Sequence, residues 1–166
     1  TSLSYTPVSS SFVALFELSI AADSLAAGLY YTFELNAQYS VDKATDTFQS
    51  KAYVTILTNE PPTGGSLVID STDDPGISLI SNFTFTASKC TDDFDDLPLQ
   101  YSFQYYVDVN GAPTMIRSRN EVSHAVTVLA AGLANEQYTI KGEVLVFDIY
   151  SAFSSKEAYT VVEDIP

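Results

Sequence analysis

The chain has 166 residues, 46% of them hydrophobic and 13% aromatic, which suffices for one large β domain or two small packed ones. Its 21 acidic residues against 7 basic ones leave a net charge of −14. That excludes the basic surface a nucleic acid or an anionic lipid requires, and it suits a soluble surface, a cation-binding one, or both.

Charged residues are 17% of the total, so the polar surface leans on Ser, Thr, Asn and Gln, as is common on secreted β proteins. Cys90 is the one cysteine and has no partner for an internal disulfide. No stretch approaches the roughly 20 apolar residues of a membrane-spanning helix. The first residue is not Met and no signal peptide follows, so the chain reads as a mature or excised segment.

In chain order, residues 3–8, 12–20, 30–41 and 48–58 are rich in β-branched and aromatic residues and read as strands. Alternation is clear in Tyr31-Thr32-Phe33-Glu34-Leu35 and in Ala52-Tyr53-Val54-Thr55-Ile56, the period of a strand with one buried face. Residues 21–27 offer one short helical turn. Asn59, Glu60, Pro61, Pro62, Gly64 and Gly65 then form a joint between 1–60 and 61–166. The prolines remove donors and steer the preceding residues away from helix, while the glycines accept any φ, so a stiff segment should be followed by a swivel.

Beyond the joint, residues 66–70, 77–88, 99–109, 115–119, 124–129, 137–148 and 158–163 read as seven short strands. Asp74-Pro75-Gly76 marks a turn, and Asn110-Gly111 closes a hairpin. Short strands at intervals of roughly 8–12 residues predict an antiparallel sandwich of immunoglobulin-like type.

The two parts resemble each other. Leu25-Ala26-Ala27-Gly28-Leu29 recurs unchanged as Leu129-Ala130-Ala131-Gly132-Leu133. Tyr31-Thr32-Phe33 then aligns with Tyr138-Thr139-Ile140, Phe48 with Phe153, Ala52-Tyr53 with Ala158-Tyr159, and Pro61 with Pro166. The offset drifts by a few residues, as changes in loop length cause. Internal repetition of this kind predicts an all-β fold of tandem immunoglobulin-like antiparallel β-sandwiches, the first incomplete. Residues 1–60 are a partial repeat lacking its opening strands, and 61–166 are a complete one. An incomplete sandwich exposes apolar faces and unpaired edges, so either more of the same polypeptide or another chain should complete it.

From Asn59 onward the sequence resembles the REJ (receptor for egg jelly) module of polycystin-like ectodomains, a relative of the PKD and fibronectin type III sandwiches. The resemblance rests on Asn59 to Gly65, on Asp74-Pro75-Gly76-Ile77-Ser78-Leu79, on Phe83-Thr84-Phe85, and on Asp92-Asp93-Phe94-Asp95-Asp96-Leu97-Pro98-Leu99-Gln100-Tyr101-Ser102-Phe103. Leu129 to Gly132 falls at the family's Leu-x-x-Gly turn. Phe94 stands where the family often has Trp. The resemblance implies an extracellular, tandemly repeated, non-enzymatic module used for spacing, adhesion or ligand contact.

Asp92, Asp93, Asp95 and Asp96 are the densest acidic cluster and are candidate calcium ligands, since Ca²⁺ takes six to eight oxygens from carboxylates and carbonyls. Asp70, Asp73 and Asp74 are expected to converge on them. The alternative is a solvated loop that keeps a strand edge soluble. Asn82-Phe83-Thr84 is a glycosylation sequon, with Asn82 on the outward side of its strand if Phe83 and Phe85 face inward. Cys90 reads as a small buried apolar residue or as one half of an intermolecular disulfide. His124, the one histidine, reads as a strand-surface residue, with its neighbour Ser123 on the opposite face and no nucleophile elbow in the chain. Most tyrosines alternate and belong to core and cross-strand pairs.

These readings predict no enzyme and no cofactor beyond calcium. The leading expectation is a structural or adhesive repeat at the cell surface, the subunit of a filament assembled head-to-tail by strand complementation. Expected partners are further copies or further repeats of the same chain, and no nucleic acid. Two alternatives remain: the stalk of a polycystin-like receptor that binds a ligand or bears force, and an accessory binding module of a secreted enzyme.

Overall fold

Alternating apolar and polar residues leave each strand one face to bury, and the chain arranges its strands in three sheets, two of which bury that face. The computed structural model describes residues 17–22, 24–40 and 47–165. Its strands are β1 (Tyr30–Ser40), β2 (Thr47–Leu57), β3 (Thr63–Ser71), β4 (Gly76–Ile77), β5 (Phe83–Thr91), β6 (Gln100–Tyr106), β7 (Thr114–Asn120), β8 (His124–Thr127), β9 (Thr139–Phe147) and β10 (Phe153–Glu163). Among the described residues β1 and β2 pair only with each other, β3-β5-β8 form a three-stranded sheet, and β4-β10-β9-β6-β7 a five-stranded one. The only helical pieces among the described residues are two 3-10 turns, Phe94–Asp96 and Ala134–Glu136. The chain is therefore nearly all β.

The three- and five-stranded sheets lie face to face. Leu67 of β3, Phe83, Phe85 and Ala87 of β5 and Ala125 of β8 are buried against Phe103 of β6, Ile140, Val144 and Val146 of β9, and Val162 of β10. Each large side chain removed from water contributes about 1.5–3 kcal/mol. The sheets approach closely at Gly142 of β9, where an added Cβ would lie 2.5 Å from the Phe85 ring and from Ile69 Cδ1. A glycine inside a strand here marks a close approach, not a turn.

Several expectations change. Residues 77–88 are not one strand: the chain turns after Ile77, with the N–H groups of Ile80 and Ser81 on Ile77 O and with Leu79 at φ +58°, and it re-enters the sheet at Phe83. β4 pairs parallel with β10, so the sheets are not wholly antiparallel, because the turn after β3 carries the chain across to the other sheet's edge. β10 begins at Phe153, its early half hidden in the sequence by Ser154, Ser155 and Lys156. Residues 21, 22 and 24–27 make turns rather than a helix. The runs 3–8 and 12–16 lie outside the described residues, and 17–20 have no regular structure.

The joint also differs. Gly64 and Gly65 have φ of +65° and +76°, yet they are part of β3, whose pairing with β5 runs on either side of them through Gly64↔Cys90 and Ser66↔Ser88. A Cβ on Gly65 would lie 2.3 Å from Cys90 Sγ. The glycines serve tight strand packing, so they are not a swivel.

The hairpin β1–β2 repeats the register of β9–β10. Thr32↔Thr55, Phe33↔Val54, Glu34↔Tyr53 and Leu35↔Ala52 correspond to Thr139↔Val161, Ile140↔Thr160, Lys141↔Tyr159 and Gly142↔Ala158. The turn Ala134–Glu136 is extra in the second copy, and its β-β connection, residues 148–152, is shorter than residues 41–46; these two changes account for the offsets at Tyr31-Thr32-Phe33 and Ala52-Tyr53, whereas the register matches Phe48 to Ser154 and not to Phe153. Gly28 and Gly132 each donate an N–H group near the end of a hairpin, to Thr58 O (3.1 Å) and to Val162 O (3.0 Å), but Val162 corresponds to Ile56 and not to Thr58. Burial separates the copies. Ile140 and Val162 are fully buried, whereas their counterparts are a half-buried Phe33 and an Ile56 that is 40% exposed, with Leu35 at 48%.

Candidate cation-binding cluster beside the joint

After β5 the chain passes through Asp92 and Asp93 into the turn Phe94–Asp96, held by Asp96 N–H on Asp93 O (3.0 Å) and Asp93 N–H on Asp92 Oδ1 (3.0 Å). β6 then runs beside β9, with Gln100 opposite Phe147. That pairing brings the residue after β9, Asp148, against the acidic turn, where Ile149 N–H donates to Asp96 O (3.2 Å). One carboxylate oxygen from each of Asp92, Asp96 and Asp148 lies within 4.8 Å of the others.

Asp148 is fully buried. Its Oδ1 accepts from Ala152 N–H (2.9 Å) and its Oδ2 from Asn59 Nδ2 (2.5 Å), which ties the joint to the β9–β10 connection. Asp96 is 9% exposed, and no hydrogen bond reaches its carboxylate among the described residues. Asp92 Oδ2 is buried and has no hydrogen-bond partner. Glu60, Pro61, Thr63, Thr91, Asp92 and Asp93 line a groove alongside.

Among the described residues no ion pair offsets this charge. Arg119 reaches the same corner, but its Nη2 donates to the Asp148 backbone oxygen (2.8 Å), its Nη1 to Ser151 Oγ (2.9 Å) and its Nε to Gln100 Oε1. The ion pairs among the described residues are Lys51–Glu34 and Lys141–Glu157, both elsewhere. Burial pushes the Asp92 carboxyl above the usual carboxylate range against the Asp93 N–H, and Asp148, Asp93 and Glu60 add to the rise. Burial raises Asp96 as well, followed by the charges of Asp92 and Asp148.

Of the residues singled out in the sequence, Asp92 and Asp96 come together, while Asp93 and Asp95 are exposed and outside the trio. Asp70, Asp73 and Asp74 do not converge on it. Asp73 Oδ2 instead accepts from Ser81 Oγ and Thr72 Oγ1 (3.0 Å) at the turn after β3. Asp148 was missed because it reads as the ordinary end of a strand; its only signal is an acidic residue directly after an apolar strand run. Asn59 and Glu60 border the cluster, Pro62 is buried, and Gly64 and Gly65 are in β3. Asn82 is exposed immediately before β5, with Phe83 and Phe85 inward. Cys90 is a free, half-buried thiol in β5, raised by burial. His124 is exposed at the start of β8. Tyr101 and Tyr105 pack on the core, whereas Tyr30, Tyr53, Tyr150 and Tyr159 are exposed.

Two facing sheets joined to a hairpin, with their most polar buried corner at the joint, define a small β module. The chain belongs to the REJ domain family: a family model described as REJ domain matches residues 2–165. No match was found among curated proteins. No helix of the described residues is long and apolar enough to cross a membrane.

Proposed function

We propose that the chain is a non-catalytic extracellular module of immunoglobulin-like sandwich type that works in series with others of its kind. In this reading β1–β2 is the closing hairpin of one unit and residues 61–166 form the next. The observation that carries it is the shared register of β1–β2 and β9–β10, reinforced by the identical Leu-Ala-Ala-Gly-Leu segments that precede them. The strand order of the two facing sheets supports the sandwich type. Membership of the REJ family supports a place in a polycystin-like ectodomain, and the exposed Asn82 is positioned to carry a glycan there. His124 sits on a strand surface, which supports a structural role.

Among the described residues nothing covers the hairpin's face, and this favours a specific assembly. In β9–β10 the equivalent face is covered by β3-β5-β8, and a second copy supplying such cover would propagate head-to-tail into a filament. The family match favours the second reading, a receptor stalk completed by its own polypeptide. Sedimentation velocity over a wide concentration range separates them. Filament assembly predicts species that grow with concentration, and a chain that stays monomeric at every concentration overturns it in favour of the stalk.

A further inference from the structure

We propose that Asp92, Asp96 and Asp148 hold one calcium ion, with Asn59 and Glu60 of the joint beside it. Three carboxylates do not gather in a half-buried corner without a counter-charge unless something offsets their repulsion. Here the one nearby guanidinium, that of Arg119, is committed to a backbone carbonyl and neutral side chains. Two further observations point to a ligand. Asp92 Oδ2 is a buried acceptor with no donor, and Asp96 is more than nine-tenths buried with its carboxylate unpartnered and within 4.8 Å of the other two.

The chemistry selects a hard divalent cation, because every candidate ligand atom is oxygen. Calcium fits better than magnesium. The three carboxylates come from two chain connections, with Asn59 of the joint holding Asp148, and Ca²⁺ tolerates such irregular sets of six to eight oxygens. Magnesium demands a near-ideal octahedron. The ion would bind together the connection after β5, the connection after β9 and the joint at Asn59. Through Asn59 it would fix how the β1–β2 hairpin leaves the sandwich, so that calcium stiffens the joint the prolines only begin to define. The site stands on this geometry and does not depend on whether copies assemble.

The test uses the full chain and CaCl₂ alone, at constant ionic strength, with isothermal titration and thermal melting. Expected is one ion per chain at a Kd of about 10⁻⁴–10⁻³ M, the range of extracellular modules. Saturating calcium should raise the melting midpoint by roughly 3–8 °C relative to chelator. Asp92→Asn should melt higher than the parent in chelator, because it removes repulsion, and should lose the calcium increment. Asp148→Asn should lose the increment too. Asp95→Asn, exposed and outside the trio, should keep it. A parent midpoint unchanged by calcium overturns the proposal, as does an increment that survives in both Asp92→Asn and Asp148→Asn. An equal shift from magnesium at the same concentration overturns the assignment to calcium. If Asp148→Asn fails to fold, Asp92→Asn, with a partly exposed side chain, carries the decision.

Discussion

At the scale of single residues, Gly142 shows how a packing constraint can reverse an ordinary substitution. Glycine inside a strand usually weakens it, and replacement by alanine reduces the entropy of the unfolded chain. In β9, however, the position of a Cβ is already taken by the Phe85 ring and Ile69 Cδ1 of the facing sheet, each 2.5 Å away. Both neighbours are core side chains with little room to retreat, so overpacking decides the sign. Gly142→Ala is expected to lower stability by about 1–3 kcal/mol, read as a lower denaturant midpoint at unchanged slope. A midpoint equal to or above the parent's would show that the sheets can part locally. The acidic corner obeys similar logic with charge in place of volume: Asp148 is tolerable because Asn59 and the Ala152 N–H satisfy it, while Asp92 Oδ2 is left with no donor at all.

At the scale of elements, two hairpins of one register meet different fates. β9–β10 lies in a sheet whose inner face is covered, whereas Ile56, Leu35 and Val54 of β1–β2 stay in contact with water. An isolated two-stranded hairpin is marginally stable. Amide hydrogen exchange on the chain at low concentration should therefore find the paired amides of β1 and β2 at least about a hundredfold less protected than those of β9 and β10. Equal protection would show that the hairpin needs no cover, and the reading of an incomplete repeat would fall. Much of this architecture is legible in the sequence, because a period-two run such as Phe83-Thr84-Phe85 reports a buried face and Asn110-Gly111 reports a reversal. What escaped detection lies where local pattern and tertiary context part. Residues 77–88 look continuous because Leu79 and Ile80 are apolar, yet both are exposed in a turn. The acidic run shows two of the three cluster residues, but Asp148 joins them only through the pairing of β6 with β9, which no local spacing encodes.

At the scale of the whole molecule, charge acts in two separable ways. A net charge of −14 makes the compact state repel itself, and the ion pairs among the described residues, Lys51–Glu34 and Lys141–Glu157, are surface pairs that offset little of it. Monovalent salt shortens the Debye length from about 30 Å at 0.01 M to about 8 Å at 0.15 M, which weakens that long-range repulsion without occupying any site. Raising NaCl across this range at constant pH, in chelator, should therefore raise the melting midpoint, and Asp148→Asn should respond to NaCl as the parent does. Calcium added on top of 0.15 M NaCl should then act on the parent alone, because a cluster of three carboxylates within 4.8 Å selects for charge density where the diffuse field does not. A midpoint that falls with NaCl would mean that specific attractions outweigh the diffuse repulsion. In that case the acidic composition would have to be understood through its local pairings and not through the net charge.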